Sequence, residues 1–353
     1  MFSISRIGKS ATRRACLSFA NRIQHYSFHS SLVCQNAELS TNISYDDLIH
    51  RVNNWPSLGP HTYSCPVCKS GNTHHFHSDR TNRKFARVYY RCASCALTFV
   101  PPSLYLSPSE EKIRYDVHIN DASDPRYRQF LRQAIDPLMN RLVATCRSLP
   151  ADQPIRVIDY GCGPGPASPL IFKSYVDDME AAKSVSALSQ GAVTPSEVSA
   201  VASRIECVTY DPFFSPHVSI PASWSGRDAV PPPVAHCPAA LPADNMAEVV
   251  AAVSVEGVVN TEVIEHAHEP VQLVQRLVDL LSARGVAVVM TTVLEDDAAF
   301  NAWGYRNDLT HVCFFKEQTM QYIAREVGAT VERVSRNVFL FSRVVKTQSE
   351  EIK

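Results

Sequence analysis

Hydrophobic and polar positions along the chain follow two rhythms, one of short apolar runs and one of helical spacing. The run Ile155-Arg156-Val157-Ile158-Asp159-Tyr160 is β-branched and ends near an acid, and Gly161, Gly163 and Gly165 follow at alternate positions. That pattern reads as a strand entering a tight turn whose backbone N–H groups face a ligand. Ile205 to Asp211 repeats the run and again closes on an acid, while Val258 to Thr261 and Val286 to Thr292 are further buried-strand candidates. Helical spacing joins them at Tyr127, Phe130, Leu131, Ala134, Leu138 and Leu142, with a kink expected at Pro137. It recurs at Val271, Val274, Leu277, Val278 and Leu281, and at Met320, Ile323 and Val327 within Glu317 to Gly328. Thr330 to Val334 and Val338 to Val345 suit a closing antiparallel pair, and Ser107-Pro108-Ser109-Glu110 reads as a helix N-cap with proline in the first turn. Helices alternating with strands predict an α/β fold around an open, largely parallel sheet.

In such sheets a ligand lies beyond the carboxyl ends of the strands, and an acid ending the second strand accepts hydrogen bonds from ribose hydroxyls. Asp211 fits that role. Its usual distance from the glycine turn is about 20 residues, so the longer separation here implies an insertion near 176–203, a segment that suits extra helix. A second, proline-rich insertion covers 215–250. The glycine spacing lacks the third glycine of the dinucleotide fingerprint, and no Gly-Lys-Ser/Thr follows for a phosphate loop.

Composition adds an address. The 353 residues are 45% hydrophobic and 20% charged, ordinary for a globular protein, and no apolar run reaches the roughly 18 residues of a membrane span. Residues 1–37 carry Arg6, Lys9, Arg13, Arg14 and Arg22, many serines and no acid. That is a transit-peptide composition and predicts the mitochondrial matrix. Five cationic residues lie in this leader, so the formal charge of −1 hides a body with about six excess negative charges. Nucleic-acid contact would have to be local.

Eleven cysteines with that address point to metal before disulfides. Cys65-Pro66-Val67-Cys68 and Cys92-Ala93-Ser94-Cys95 are two CxxC knuckles separated by 23 residues, the spacing of a zinc ribbon over 60–100 with structural Zn²⁺ held by Cys65, Cys68, Cys92 and Cys95. Between them Lys69, Arg80, Arg83, Lys84, Arg87 and Arg91 interleave with Phe85, Tyr89 and Tyr90. Two readings fit: a surface for single-stranded RNA or phosphate, or a solvated hairpin whose cations balance the thiolates.

The run D-Y-G-C-G-P-G-P resembles the first motif of class I S-adenosylmethionine (SAM) methyltransferases. Thr261-Glu262-Val263-Ile264-Glu265-His266, with Pro270 after it, is similar to the fourth-strand motif of ubiquinone-biosynthesis O-methyltransferases and small-RNA 2′-O-methyltransferases. The whole chain resembles bacterial zinc-ribbon methyltransferases. This resemblance implies a Rossmann-like seven-stranded sheet over 151–346, preceded by the small ribbon domain and a helical linker over 101–150, with a tail at 347–353. It implies SAM held by Asp159, Gly161, Gly163, Gly165, Asp211 and Thr261. It further implies a second divalent cation on Glu262, Glu265, His266 and His311, three of which would share one side of a helical turn by their i, i+3, i+4 spacing. Two imidazoles suit Zn²⁺, Mn²⁺ or Fe²⁺ better than Mg²⁺. Glu262, His266 and His311 are the catalytic candidates, with an imidazole as base if no metal binds, and Trp303, Arg306 and Asp308 would shape the acceptor site.

The expected activity is metal-assisted O-methylation of an RNA or ribosome-associated acceptor in mitochondria, with the ribbon touching RNA or the mitochondrial ribosome. A small acceptor such as a quinone precursor or sugar, and a non-catalytic ribosome-assembly factor, are the alternatives. No Asn/Asp-Pro-Pro-Tyr/Phe follows Val259, which argues against adenine N-methylation.

Overall fold

The computed structural model describes residues 43–55, 62–79, 87–117, 120–182, 194–214, 221, 224 and 253–344. The leader 1–37, the tail 347–353, Arg80, Arg83, Lys84 and nearly all of the 215–250 insertion lie outside the described residues.

Six described strands form the main sheet: β4 (Ile155–Tyr160), β5 (Ile205–Tyr210), β6 (Val255–Thr261), β7 (Leu281–Met290), β9 (Ala329–Ser335) and β10 (Val338–Arg343), in the order β5-β4-β6-β7-β10-β9. The first four are mutually parallel, and β10 runs antiparallel to both β7 and β9. The seventh strand implied by the family pattern is not among the described residues. β4 is buried along its whole length, including its two charged residues, Arg156, which pairs with Glu256 at 3.0 Å, and Asp159. β7 begins at Leu281, five residues before the expected start at Val286; Leu281 is the first strand residue rather than the last of a helix, because α6 (Pro270–Asp279) has already ended.

The remaining helices are α1 (Tyr45–Asn53), α2 (Pro108–Tyr115), α3 (Pro125–Cys146), α4 (Ser168–Ala182), α5 (Pro195–Ala202) and α7 (Glu317–Glu326). α2 starts with the expected capping box, Ser107 against Glu110. α3 stays α-helical through Pro137, and its apolar face, including Leu131, Leu138 and Leu142, covers one side of the sheet with Val157, Val259 and Val288. α5 supplies helix within the 176–203 insertion. Among the described residues no helix is long and apolar enough to cross a membrane.

The cysteine hairpin departs most from expectation. Its strands β1 (Thr73–Ser78), β2 (Val88–Cys92) and β3 (Thr98–Phe99) do not end at a domain boundary. β3 pairs with β8 (Cys313–Phe314), giving a four-stranded sheet of order β1-β2-β3-β8. Tyr89, Phe99, Phe300 and Phe314 share one buried cluster with residues of the main sheet. The hairpin is therefore bolted into the body, and a separate small domain preceding the sheet is not what forms.

Candidate active site

The turn after β4 and the end of β5 meet directly. Gly161 and Cys162 donate N–H groups to the Tyr210 carbonyl at 2.7 and 3.1 Å, and Gly163 N–H donates to Asp211 Oδ2 at 2.9 Å. Asp211 Oδ1 accepts from Phe213 and Phe214 N–H at 2.9 and 3.1 Å, and burial raises its carboxyl against those bonds. The glycine turn and the acid expected at the end of the second strand are thus hydrogen-bonded to each other. Gly161 has φ +85°, and a Cβ there would lie 2.4 Å from Val263 Cγ2, so the turn and the T-E-V-I-E-H segment fit only because this residue is glycine. A Cβ on Gly165 would overlap the Asn120 carbonyl oxygen at 1.8 Å, which places the chain after α2 against the turn.

Asp159 lies beneath the turn, 6% exposed. Burial pushes its carboxyl up to about 7, helped by the charge of Asp211 and opposed by the Ser168 hydroxyl. Thr261, at the tip of β6, keeps a buried Oγ1 without a hydrogen-bond partner among the described residues, as does Asn260 Oδ1 beside it. Those atoms suit a polar ligand.

Beyond β6 the chain turns through Glu262, a non-glycine residue with φ +53°, and its only helical geometry is a 3₁₀ turn over Ile264–His266. The expected i, i+3, i+4 array therefore does not form. Glu265, His266 and His311 do converge, each offering a ligand atom within 4.8 Å of the others, and Glu262 stands outside that group. Its carboxyl still feels the site: burial and the charge of Glu265 raise it well above the carboxylate range.

Glu265 is fully buried. Its Oε2 accepts the Thr291 hydroxyl at 2.9 Å, while Oε1 makes no hydrogen bond among the described residues and lies 3.8 Å from His266 Nε2. Burial pushes this carboxyl up to about 7, against nearby hydroxyls of Tyr305 and Thr291. His311 is 7% exposed, and burial lowers its imidazole to about 4. Its Nδ1 is 2.7 Å from the Tyr305 carbonyl. A carbonyl only accepts, so Nδ1 carries the proton and Nε2 keeps its lone pair. The His266 and His311 rings are 4.6 Å apart, and Tyr115 stands between His266 at 5.4 Å and Phe213 at 5.1 Å, bridging this cluster and the Asp211 loop. One carboxyl and two imidazoles form a donor set suited to Zn²⁺, Mn²⁺ or Fe²⁺.

Arg306 and Asp308 do not line an acceptor pocket. Arg306 is fully buried, ion-paired with Asp79, and Asp308 pairs with Arg114 at 2.6 Å while capping Thr310. Thr291, Tyr305, Tyr115 and Asn120 were not legible as site residues, because each reaches the site only through tertiary packing.

In the hairpin, Cys65, Cys68, Cys92 and Cys95 converge, with Sγ–Sγ distances of 3.5 Å for Cys65–Cys95 and 3.3 Å for Cys68–Cys92. Four thiolates around one Zn²⁺ at 2.3 Å would sit about 3.8 Å apart. Each knuckle closes on a left-handed residue, Lys69 or Ala96, and Ala93 N–H bonds to the Asn72 carbonyl to tie the two together. Two of the six cations proposed for RNA are buried instead. Arg87 is 1% exposed, and Arg91, 8% exposed, pairs with Asp297 at 2.8 Å.

A family model described as "Methyltransferase domain" matches residues 127–334. No curated protein matches the chain. Similar solved structures include an O-methyltransferase family protein from Burkholderia thailandensis, with 13% identity over 67% of this chain and 64% of that one and a TM-score of 0.32. A second is the O-methyltransferase NcsB1 from neocarzinostatin biosynthesis, in complex with S-adenosyl-L-homocysteine and 1,4-dihydroxy-2-naphthoic acid (15%, 61% and 58%, 0.29). A third is LepI in complex with SAM (12%, 67% and 53%, 0.33). This chain spans between 53% and 64% of the length of these three proteins.

Proposed function

The chain belongs to the methyltransferase-domain family, and from that premise we propose that it is a SAM-dependent O-methyltransferase whose acceptor hydroxyl is presented at Glu265, His266 and His311. The observation that carries this reading is a juxtaposition: Gly163 N–H bonds to Asp211, the Glu265/His266/His311 cluster gathers nearby, and the Tyr115 ring packs on both Phe213 of the Asp211 loop and His266. SAM would supply a methyl group made electrophilic by its sulfonium. The residues that would hold it are those of the glycine turn, Gly161, Gly163 and Gly165, with Asp211 toward the ribose hydroxyls and Thr261 through its unpartnered Oγ1.

The donor set of Glu265, His266 and His311 fits a borderline divalent cation, which would polarise an acceptor hydroxyl as a Lewis acid. The chain's own part is geometric. The Tyr305 carbonyl fixes the His311 tautomer so that Nε2 keeps its lone pair for the cation, and Thr291 holds one oxygen of Glu265. The four cysteines fit a structural Zn²⁺.

The acceptor we favour is a hydroxyl of an RNA or ribosome-associated molecule in mitochondria, an address that rests on the composition of residues 1–37. Burial of Arg87 and Arg91 removes two of the six cations of that basic surface, and this is the observation behind a second reading, a small hydroxylated acceptor. Mitochondrial extract incubated with the purified protein and methyl-labelled SAM separates them. Label in RNA that nuclease releases supports the first, and nuclease-resistant label in an organic extract supports the second. Failure of the protein to bind SAM or S-adenosylhomocysteine in calorimetry would overturn both.

A further inference from the structure

The cysteine hairpin reaches the proposed reaction site through one buried side chain. Arg87, the residue before β2, points its guanidinium into the turn 306–311. Its Nη1 donates to the carbonyls of Arg306 at 3.0 Å and Asp308 at 2.7 Å, and its Nη2 donates to the carbonyl of His311. No carboxylate lies within ion-pair distance of Arg87 among the described residues. Its burial is compensated by carbonyls instead, and all three belong to the one turn that carries His311. Burying a cation is costly, and an apolar side chain could fill the same volume at less cost if packing were the only requirement. A planar fork with several fixed donors is suited to holding a backbone turn in one shape.

We infer that Arg87 is a positioning residue for His311: it sets the shape of the 306–311 turn and so aims the imidazole at Glu265 and His266. The turn is otherwise short of regular structure, with a 3₁₀ segment over Gly304–Asn307, a bond from His311 N–H to the Asp308 carbonyl at 3.3 Å, and Asp308 Oδ1 accepting from Thr310 N–H at 3.1 Å and Thr310 Oγ1 at 2.7 Å. Tyr89, on β2, donates its one hydroxyl proton to Asp79 Oδ2 at 3.0 Å, and Asp79 pairs with the Arg306 side chain, so the hairpin reaches the turn a second time through Asp79. At the other end of the turn, Val312 N–H donates to the Glu265 carbonyl at 2.9 Å. A shift of the turn would therefore move two of the three converging side chains relative to each other. The glycine turn and Asp211 are not touched by Arg87, so the effect falls on one part of the proposed site.

This inference rests on the proposed role of the Glu265, His266 and His311 cluster, and its test separates the two. Full-length Arg87→Lys and Arg87→Met proteins are prepared with zinc supplied to the cysteines. SAM affinity is measured by calorimetry, Mn²⁺ affinity by electron paramagnetic resonance, and the His311 ring nitrogens by NMR of ¹⁵N-histidine protein, with signals assigned against His311→Ala. The expected result for Arg87→Met is SAM affinity within twofold of wild type, Mn²⁺ affinity at least tenfold weaker, and a displaced Nδ1 resonance, with Arg87→Lys intermediate. A folded Arg87→Met protein with wild-type Mn²⁺ affinity and wild-type His311 resonances would overturn it. So would loss of SAM and Mn²⁺ binding together in both variants, which marks general support of the fold. If wild-type protein takes up no Mn²⁺, the metal part of the proposed function fails, and the His311 resonances still decide the role of Arg87.

Discussion

Replacing Asp211 by Asn tests the junction of the two strand ends. In the native chain Oδ2 accepts from Gly163 and Oδ1 accepts from both Phe213 and Phe214. Asparagine keeps one acceptor oxygen. If that oxygen faces the Phe213–Phe214 pair, the loop keeps its shape, but an amide NH₂ then confronts Gly163 N–H. At least one hydrogen bond to a charged acceptor is lost, worth about 1.5–3 kcal/mol. A comparable loss falls on ribose hydroxyls that would donate to the carboxylate, and since 1.4 kcal/mol is tenfold, the Kd for SAM should rise by roughly 10- to 150-fold. Titration calorimetry with SAM and S-adenosylhomocysteine reads this directly, with circular dichroism confirming that the variant is folded. A Kd within twofold of wild type in a folded variant would show that Asp211 does not hold the donor, and the site would have to be read differently.

Two further outcomes follow from the same end of the sheet. Asp159 has a folded-state pKa near 7, above its ordinary 3.8, so the native state retains its proton longer than the unfolded chain. Stability attributable to this group is complete below about pH 4 and is lost as pH rises through 7, by up to about 4 kcal/mol. Asp159→Asn should remove that loss, so urea unfolding from pH 5 to 8 should show the variant gaining on wild type as pH rises; parallel profiles would contradict the assignment. Gly165→Ala must displace the Asn120 backbone and should cost about 1–3 kcal/mol of stability and weaken SAM binding, whereas Gly304→Ala, with nothing within 4 Å of its Cβ, should melt like wild type.

The parts of this molecule written in local pattern were readable in the chain itself. The β-branched run into Gly161-Cys162-Gly163, the capping box at Ser107 and the closing pair of strands depend on neighbours close in sequence, and they form where the pattern puts them. Cys65, Cys68, Cys92 and Cys95 converge for the same reason, since their spacing carries the geometry. What escaped is built from distant pairs. Cys313–Phe314 is a strand of two residues, too short to show any period, and exists because β3 is there to pair with it. Helical spacing at Glu262 was misleading because a left-handed residue interrupts it, and only the packing of Val263 on Gly161 reveals why the chain turns there. Arg87 and Arg91 looked like surface charge because a sequence does not say which cations will find carbonyls or a carboxylate indoors.

The pairing of Thr98–Phe99 with Cys313–Phe314 bears on how this protein can be dissected. Expression of the family-matched region, residues 127–334, would leave an unpaired strand edge at 313–314, bare carbonyls at Arg306, Asp308 and His311, and an exposed Phe300–Phe314 contact. Such a fragment would be prone to self-association, and an inert preparation of it would say nothing about the intact protein. By the same geometry the amino-terminal hairpin is not a transferable cassette: grafted elsewhere it would lack the fourth strand that completes its sheet.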